Sequence, residues 1–425
     1  MSYLEQLLQG AEVEWKALGE ISEIYGGLTG KSKADFENGN AKYISYKNIF
    51  FNHDVNYEIL ELVKISDSEN QHSVKYGDVL FTGSSESVEE VGMSSAVTTD
   101  YEEPVYLNSF SFGIRFHEGI QLIPEFSKYL FRSSFMRVEI PKTASGVTRY
   151  NVSKAKFKNL QIPIPCPDNP SKSLEIQKEI VRILDTFTEL TAELTAELTA
   201  RKTQYNYYRE QLLSFEEGEV EHLPMGNDNI GKFIRGSGLQ KKDFTETGVG
   251  CIHYGQIYTH YGTYTYKTKT FVSEEFAKKA RKAKYGDLVI ATTSEDDEGV
   301  CKAVAWLGNE EIAVSSDACF YTHNLNPKYV AYFFQTEQFQ KQKRPHITGT
   351  KVRRVNADDL AKIKIPVPPL KEQARIVSIL DKFDTLTTSI NEGLPKEIKL
   401  RKKQYEYYRD QLLDFNKLKI GNEKR

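Results

Sequence analysis

The chain has only four cysteines, Cys166, Cys251, Cys301 and Cys319, and no two of them form a C-x-x-C pair. That scatter excludes a disulfide framework and a cysteine-based zinc site, and a reducing cytoplasm is the expected location. Long hydrophobic runs are missing too. None approaches the roughly 20 apolar residues of a membrane span, and Met1–Gln6 lacks the basic-then-apolar pattern of a signal peptide. Neither sign of charge dominates, since the net charge is −3. Near-neutrality argues against a uniformly basic nucleic-acid binder, but it averages over segments of opposite sign. Over one stretch the helix breakers vanish. No proline lies between Pro170 and Pro224, and no glycine between Gly146 and Gly218.

Catalytic signatures are equally scarce. Gly26-Gly-Leu-Thr-Gly-Lys-Ser32 falls one residue short of a phosphate loop, because the spacing needs a glycine where Tyr25 stands. Asp168-Asn-Pro-Ser171 touches the (Asp/Asn)-Pro-Pro-aromatic loop of amino-methyltransferases but lacks the second proline and the aromatic that would stack on a flipped base. No (Asp/Glu)-Xaa-Lys follows Asp168 closely enough for a nuclease set, and the histidines form no metal-spaced cluster. The acids Glu295–Glu298 have no basic or histidine partner nearby in sequence and read as a surface loop. The sequence offers no active site.

What the chain does have is repetition. Gln204–Phe215 recurs almost unchanged as Gln404–Phe415, and Glu179–Phe187 is answered by Arg375–Phe383. A third, partial copy, Tyr3–Leu8, matches Tyr208–Leu213. Repeats this far apart mean a duplicated architecture. A fragment at the start that matches the end of each repeat predicts a ring-like layout in which the two ends meet. Around the first copy, Ile176, Ile180, Ile183, Phe187, Leu190, Leu194, Leu198, Tyr205, Tyr208, Leu212 and Phe215 step mostly by three and four. This is the seam of a parallel or antiparallel coiled coil, and it predicts a helix over residues 173–215 about 65 Å long. The second copy is its natural partner, and Gly393-Leu-Pro395 should break or kink that copy. Inside the first helix, Thr191–Leu198 repeats Thr-Ala-Glu-Leu with period 4, and Glu189, Glu193 and Glu197 fall on one solvated stripe.

The regions between the helices share a fainter frame. Gly30–Phe36 parallels Gly238–Phe244, and Lys75-Tyr-Gly-Asp78 parallels Lys284-Tyr-Gly-Asp287. Ser145-Gly146 parallels Thr348-Gly349, and Ile162-Pro-Ile-Pro165 parallels Ile365-Pro-Val-Pro368. Short alternating strands with a few helices give an α+β class. Basic residues concentrate here. Residues 341–354 carry six Lys or Arg and no acid, residues 142–158 carry five, and Lys278–Lys284 is a third, helix-like patch. Lys and Arg interleaved with Thr, Ser, Gly and His suit phosphate contacts and base-edge hydrogen bonds. The candidate DNA contacts are Lys142, Thr143, Ser145, Gly146, Thr148 and Arg149, with Lys343, Arg344, His346, Thr348, Gly349, Lys351, Arg353 and Arg354 in the second region. Tyr205, Tyr207, Tyr208, Tyr405, Tyr407 and Tyr408 exceed what one helical seam needs and are candidates for a partner-docking face.

Two diverged inserts, two near-identical helices, the Thr-Ala-Glu-Leu tract and the missing active site together resemble the specificity subunit of type I restriction–modification systems, most closely the type IC group. The resemblance covers the whole chain and rests best on Ile180–Phe187 with Arg201–Phe215, on Ile376–Phe383 with Arg401–Phe415, and on the tract at 191–198. It implies two globular α+β target recognition domains separated by two long helices that form an antiparallel coiled coil, duplicated about a pseudo-twofold. Residues 1–14 would be an arm completing the circular repeat. Residues 15–168 and 218–369 would be the recognition domains, and 169–217 and 370–425 the spacer helices, the second with a tail. Each domain would read half of a split, asymmetric site in double-stranded DNA. The helices would set the spacing and dock modification subunits, two of them, and restriction subunits. The chain itself would hold no cofactor. S-adenosylmethionine and adenine methylation would belong to the modification subunits, and ATP-driven translocation and cleavage to the restriction subunits. Two other readings are a self-sufficient DNA methyltransferase or nuclease with an unfamiliar active site, and a purely structural coiled-coil adaptor.

Overall fold

The computed structural model describes residues 3–216 and 218–415, so the tail beyond Phe415 lies outside the described residues. The chain divides into two compact units, Met1–Glu193 with Ile398–Arg425, and Leu194–Glu397. Each unit therefore combines one insert with pieces of both repeats. The expected long helix is present as Pro170–Leu212, uninterrupted for 43 residues. Its counterpart is broken as expected: one helix ends at Thr388 and the next begins at Gly393. Gly393 has φ +76°, and a β-carbon there would lie 2.6 Å from the Thr385 carbonyl oxygen. Only glycine fits that turn.

The pairing of the repeats is antiparallel. Phe187 stacks on Tyr408 in the first unit, and Tyr208 on Phe383 in the second, so partner numbers fall as the long helix advances. The start of the chain packs against the end of the second repeat copy. Leu4 and Leu8 of the short helix Tyr3–Leu8 share one buried apolar cluster with Leu412, Leu413 and Phe415.

Each insert is built around a buried antiparallel sheet. In the first unit the order is Ser22–Gly26, Ser111–Phe116, Val79–Thr82, Ser94–Ala96. In the second it is Gly231–Arg235, Ala318–His323, Leu288–Ala291, Ala303–Trp306, with Tyr264–Thr265 added at the edge in parallel. The central strands are apolar runs because both of their faces are covered. The same frame carries different side chains: Phe112 lies opposite Phe81 where Cys319 lies opposite Ile290. Both central strands start from the Lys-Tyr-Gly-Asp turn. Gly77 and Gly286 take φ +87° and +90°, the third position of a type II turn. Asp78 and Asp287 close the turns by accepting from the backbone N–H of Lys75 (2.8 Å) and Lys284 (2.9 Å). Asp78 is buried against Tyr25 and Arg115, whereas Asp287 has no such arginine and burial raises its pKa. The parallel between Gly30–Phe36 and Gly238–Phe244 is likewise structural. Asp35 and Asp243 each accept from a backbone N–H three residues back, at 2.8 Å. The Lys278–Lys284 patch departs from its helix-like expectation: the helix stops at Lys279 and Lys282–Ala283 is a strand.

The same repeated residues, a glutamine and an aspartate, bolt each insert to its helices. Buried Gln177 accepts from the N–H of Ile123 (3.0 Å) and donates to the carbonyl of Gln121 (2.7 Å). Gln373 accepts likewise from the N–H of Asn326 (2.8 Å), but donates to the carbonyl of Pro368 just before its own helix (2.8 Å). Asp185 accepts from the Tyr129 hydroxyl (2.6 Å) and pairs with Lys128 (2.8 Å). Asp381 accepts from the Tyr332 hydroxyl (2.7 Å) and pairs with Lys328 (2.7 Å). Burial and Asp381 together keep the Tyr332 hydroxyl protonated far above its ordinary range. Asp381→Ala strands both donors, so a loss of about 1–3 kcal/mol is expected. Calorimetry of the purified protein should show it as a lowered thermal midpoint, and Asp381→Asn should recover part of the loss.

Candidate nucleic-acid interface

The two basic stretches fold into the same object. In the first unit, Ala144–Ser145 pairs with Tyr150–Val152, which pairs in turn with Ser84–Ser85. In the second, Thr348 bridges Arg354, and Arg353–Arg354 pairs with Thr293–Ser294. The registers match: Asn151 lies opposite Ser84 where Arg354 lies opposite Thr293. Each hairpin turns on one of the candidate glycines. Gly146 and Gly349 adopt φ +145° and +87°, and a β-carbon would come within 1.9 Å of the Arg149 carbonyl oxygen and 2.2 Å of the Val352 carbonyl oxygen. The glycines therefore serve the hairpin's geometry, with contact by their own backbone only.

Most of the candidate contacts stand on these hairpins. Ser145, Gly146, Thr148, Arg149, Thr348, Gly349, Lys351 and Arg354 are exposed, and Arg353 is half-buried. Arg149 donates through Nε and a terminal nitrogen to the Ser84 hydroxyl (3.2 and 3.0 Å). Its guanidinium lies 6.0 Å from the ring of Phe110. With Tyr46, Phe50 and the exposed Phe51, these groups line an open cleft of about 500 Å³. Three candidates are paired with acids: Lys142 with Glu139 (2.6 Å), Arg344 with Glu337 (2.9 Å) and the Nδ1 of His346 with Asp359 (3.5 Å).

The recurring frame does not carry recurring charge. Along the two hairpins Arg149 corresponds to Val352, Thr148 to Lys351, Tyr150 to Arg353 and Asn151 to Arg354. What repeats in register is the backbone, and the cations fall at different positions on it.

Two candidates leave the contact set. Thr143 is buried, with its hydroxyl donating to the Ile140 carbonyl (2.7 Å). Lys343 is fully buried, and its ammonium donates to the carbonyls of Asp297 (2.7 Å), Glu298 (3.2 Å) and Val300 (2.9 Å). Burial lowers its pKa. The acidic run Glu295–Glu298 is exposed, as expected of a surface loop, but it does have basic partners. Lys343 holds its backbone, and Asp297 pairs with Nε of Arg353 at 2.8 Å. The first unit holds the matching loop from Arg137, which donates to the carbonyls of Glu89 (2.7 Å), Val91 (2.8 Å) and Gly92 (2.9 Å). No local pattern could have found these clamps, since each cation lies more than forty positions from the loop it holds.

The six tyrosines separate into three roles. Tyr205 is buried and Tyr405 half-buried, so they pack rather than present a docking face. Tyr208 and Tyr408, 38% and 37% exposed, stack on Phe383 and Phe187 across the helix pair. Tyr207 and Tyr407, 60% and 61% exposed, remain as the outward rings. The two copies agree because the heptad-like position, not the insert, fixes each ring's direction. Among the described residues no group of three or more His, Cys, Asp or Glu could hold a metal ion, and no helix is long and apolar enough to cross a membrane.

Comparison with known proteins gives one consistent answer. The model of the type I restriction modification DNA specificity domain matches residues 11–201 and again 228–400. The specificity subunit of the type I restriction enzyme EcoR124I/EcoR124II of Escherichia coli is 36% identical over 434 residues, covering 98% of each chain. A putative type I restriction enzyme specificity subunit of Haemophilus influenzae is 31% identical, over 98% of this chain and 99% of its own. Among solved structures, a chain from a study of assembly and conformational transition in the type I restriction–modification system aligns at a TM-score of 0.63 and 15% identity, covering 94% of this chain and 97% of that one. The S subunit of M. genitalium aligns at 0.50 and 13%, covering 95% and 96%. At such identities these two likenesses concern the fold alone.

Proposed function

Because this chain belongs to the type I restriction–modification DNA specificity family, we propose that it reads a bipartite, asymmetric site in double-stranded DNA, one half with each hairpin. The observation that carries this reading is the pair of hairpins. They share turn glycine, register and supporting strand, but differ in nearly every side chain that points outward. A frame kept constant while its outward residues diverge suits two readers of different bases. In this reading residues 15–168 and 218–369 are the recognition domains, 169–217 and 370–425 are the spacer helices, and 1–14 closes the circle. The chain is not catalytic. It docks two modification subunits, with Tyr207 and Tyr407 as symmetric anchor rings, and carries restriction subunits in the full enzyme.

The test is Arg353→Ala in the methyltransferase assembled with its modification subunit. Binding to the cognate site should weaken by about 1–3 kcal/mol, the worth of one bidentate base contact. Binding to unrelated DNA should change far less. Unchanged affinity for both would remove the hairpin from the interface. The isolated chain, incubated with S-adenosylmethionine and DNA, should transfer no methyl group. Methylation by the chain alone would favour the self-sufficient enzyme, and an assembled complex without DNA affinity would favour the structural adaptor.

A further inference from the structure

The unexpected element of the second hairpin is the acidic loop beside it. Asp297 stands 2.8 Å from Nε of Arg353, and a terminal nitrogen of the same guanidinium donates to the Gly349 carbonyl at 2.6 Å. Asp297 in turn sits on a backbone that Lys343 grips from below through three carbonyls. Cys301 ends the loop at φ +71°, the left-handed region that Gly92 occupies at φ +66° in the first unit. The loops correspond in register, since the N–H of Thr82 donates to the carbonyl of Met93 as that of Ala291 does to Lys302. Each loop is clamped by a cation of the helix that follows in its insert, Arg137 and Lys343 from different turns, and two of the three carbonyls held by Lys343 are the counterparts of Glu89 and Val91, held by Arg137.

Against that shared frame one pair of positions is exchanged together. The first unit has Val88 and Tyr150 where the second has Asp297 and Arg353. Where the hairpin carries an arginine the loop carries a carboxylate, and where it carries a tyrosine the loop carries an apolar residue. Arg353 is one-third exposed and Asp297 more than half exposed. At that exposure an ion pair adds little to stability, so stability does not account for the carboxylate. A carboxylate at the reading surface also repels phosphate, which is a cost in a DNA-binding hairpin.

We infer that Asp297 is a positioning residue that fixes the guanidinium of Arg353 for reading a base, with Lys343 as the buried anchor of the loop that carries it. Held at Nε and at the Gly349 carbonyl, the guanidinium loses its freedom to swing onto the phosphate backbone. Its terminal nitrogens are presented in one orientation, the fork that matches the O6 and N7 acceptors of guanine. The arrangement thus trades general affinity for discrimination. This rests on the proposed reading of the hairpin as a DNA contact.

The experiment measures affinity of the assembled methyltransferase for its cognate site and for a site altered in the half read by the second domain, in wild type, Asp297→Ala, Asp297→Asn, Arg353→Ala and the Asp297→Ala/Arg353→Ala double variant. In Asp297→Ala the ratio of the two affinities should fall about tenfold, within the range of a single bidentate contact. Asp297→Asn, which keeps an acceptor for Nε, should lose clearly less. Once Arg353 is alanine, removing Asp297 should lower the ratio no further. An unchanged ratio in Asp297→Ala, or the same fall with and without Arg353, overturns the inference. If Arg353→Ala itself changes neither affinity, the hairpin reading fails instead, so the two failures are distinguishable.

Discussion

Inserting one more Thr-Ala-Glu-Leu unit after Leu198 is expected to lengthen the unspecified gap of the methylated motif by one base pair and leave both half-sites unchanged. The tract lies inside the unbroken helix Pro170–Leu212, and the boundary between the compact units, Glu193/Leu194, falls within it. Leu190, Leu194 and Leu198 are half-buried, whereas Glu189, Glu193 and Glu197 are exposed, with Glu197 paired to Arg201 at 2.7 Å. A fourth-residue repeat with one apolar position can be extended without placing a charge in the seam or an apolar residue in water. Four residues add about 6 Å of rise and rotate the remainder of the helix by about 40° beyond a full turn. One base-pair step rises about 3.4 Å and twists by about 35°. The rotation nearly matches one added base pair, and the excess rise is absorbed if the helix is inclined to the DNA axis. Methylome sequencing of a host carrying the insertion variant with its modification subunit reads the result. A gap of the original length at full activity would make the tract mere packing, and altered half-sites would place it at the recognition surface.

Replacing residues 15–168 with the first insert of a relative should change one half of the methylated motif completely and the other not at all. The structure gives this exchange a physical basis. The bonds that fix the first insert come from repeated residues outside it: Gln177 to Ile123 and Gln121, Asp185 to Tyr129 and Lys128, and Asp410 to Ser134 at 2.6 Å. An incoming insert meets the same bolts if it carries a tyrosine and a hydroxyl at the positions of Tyr129 and Ser134. The second unit has the same kind of bond, with Glu210 accepting from the N–H of Glu337 at 3.0 Å. Methylome sequencing of the chimaera decides it, and a change in both halves would show that the domains do not read independently.

What the sequence determined alone was whatever short-range patterning controls. The repeat spacing placed the long helix within a few residues of Pro170–Leu212, because a run free of glycine and proline with apolar steps of three and four has no better conformation. Gly393-Leu-Pro395 announced the break that separates Thr388 from Gly393, and the parallel Lys-Tyr-Gly-Asp and Ser/Thr-Gly segments marked corresponding turns of the two inserts. The family was legible for the same reason, since its markers are repeats along the chain.

Only the tertiary structure decided which polar residues are available. Lys343 and Arg344 are neighbours in one basic run, but Lys343 is fully buried on carbonyls more than forty residues away and Arg344 is exposed. Tyr205 and Tyr207 are two positions apart on one helix and face opposite ways, toward Phe383 and toward solvent. The pairing of Asp297 with Arg353 joins residues that no local window contains. Periodicity records the side of an element that is apolar, and it is fixed within a few residues. The partner that a buried cation finds depends on how distant strands and helices close around it, and that is a property of the packed fold.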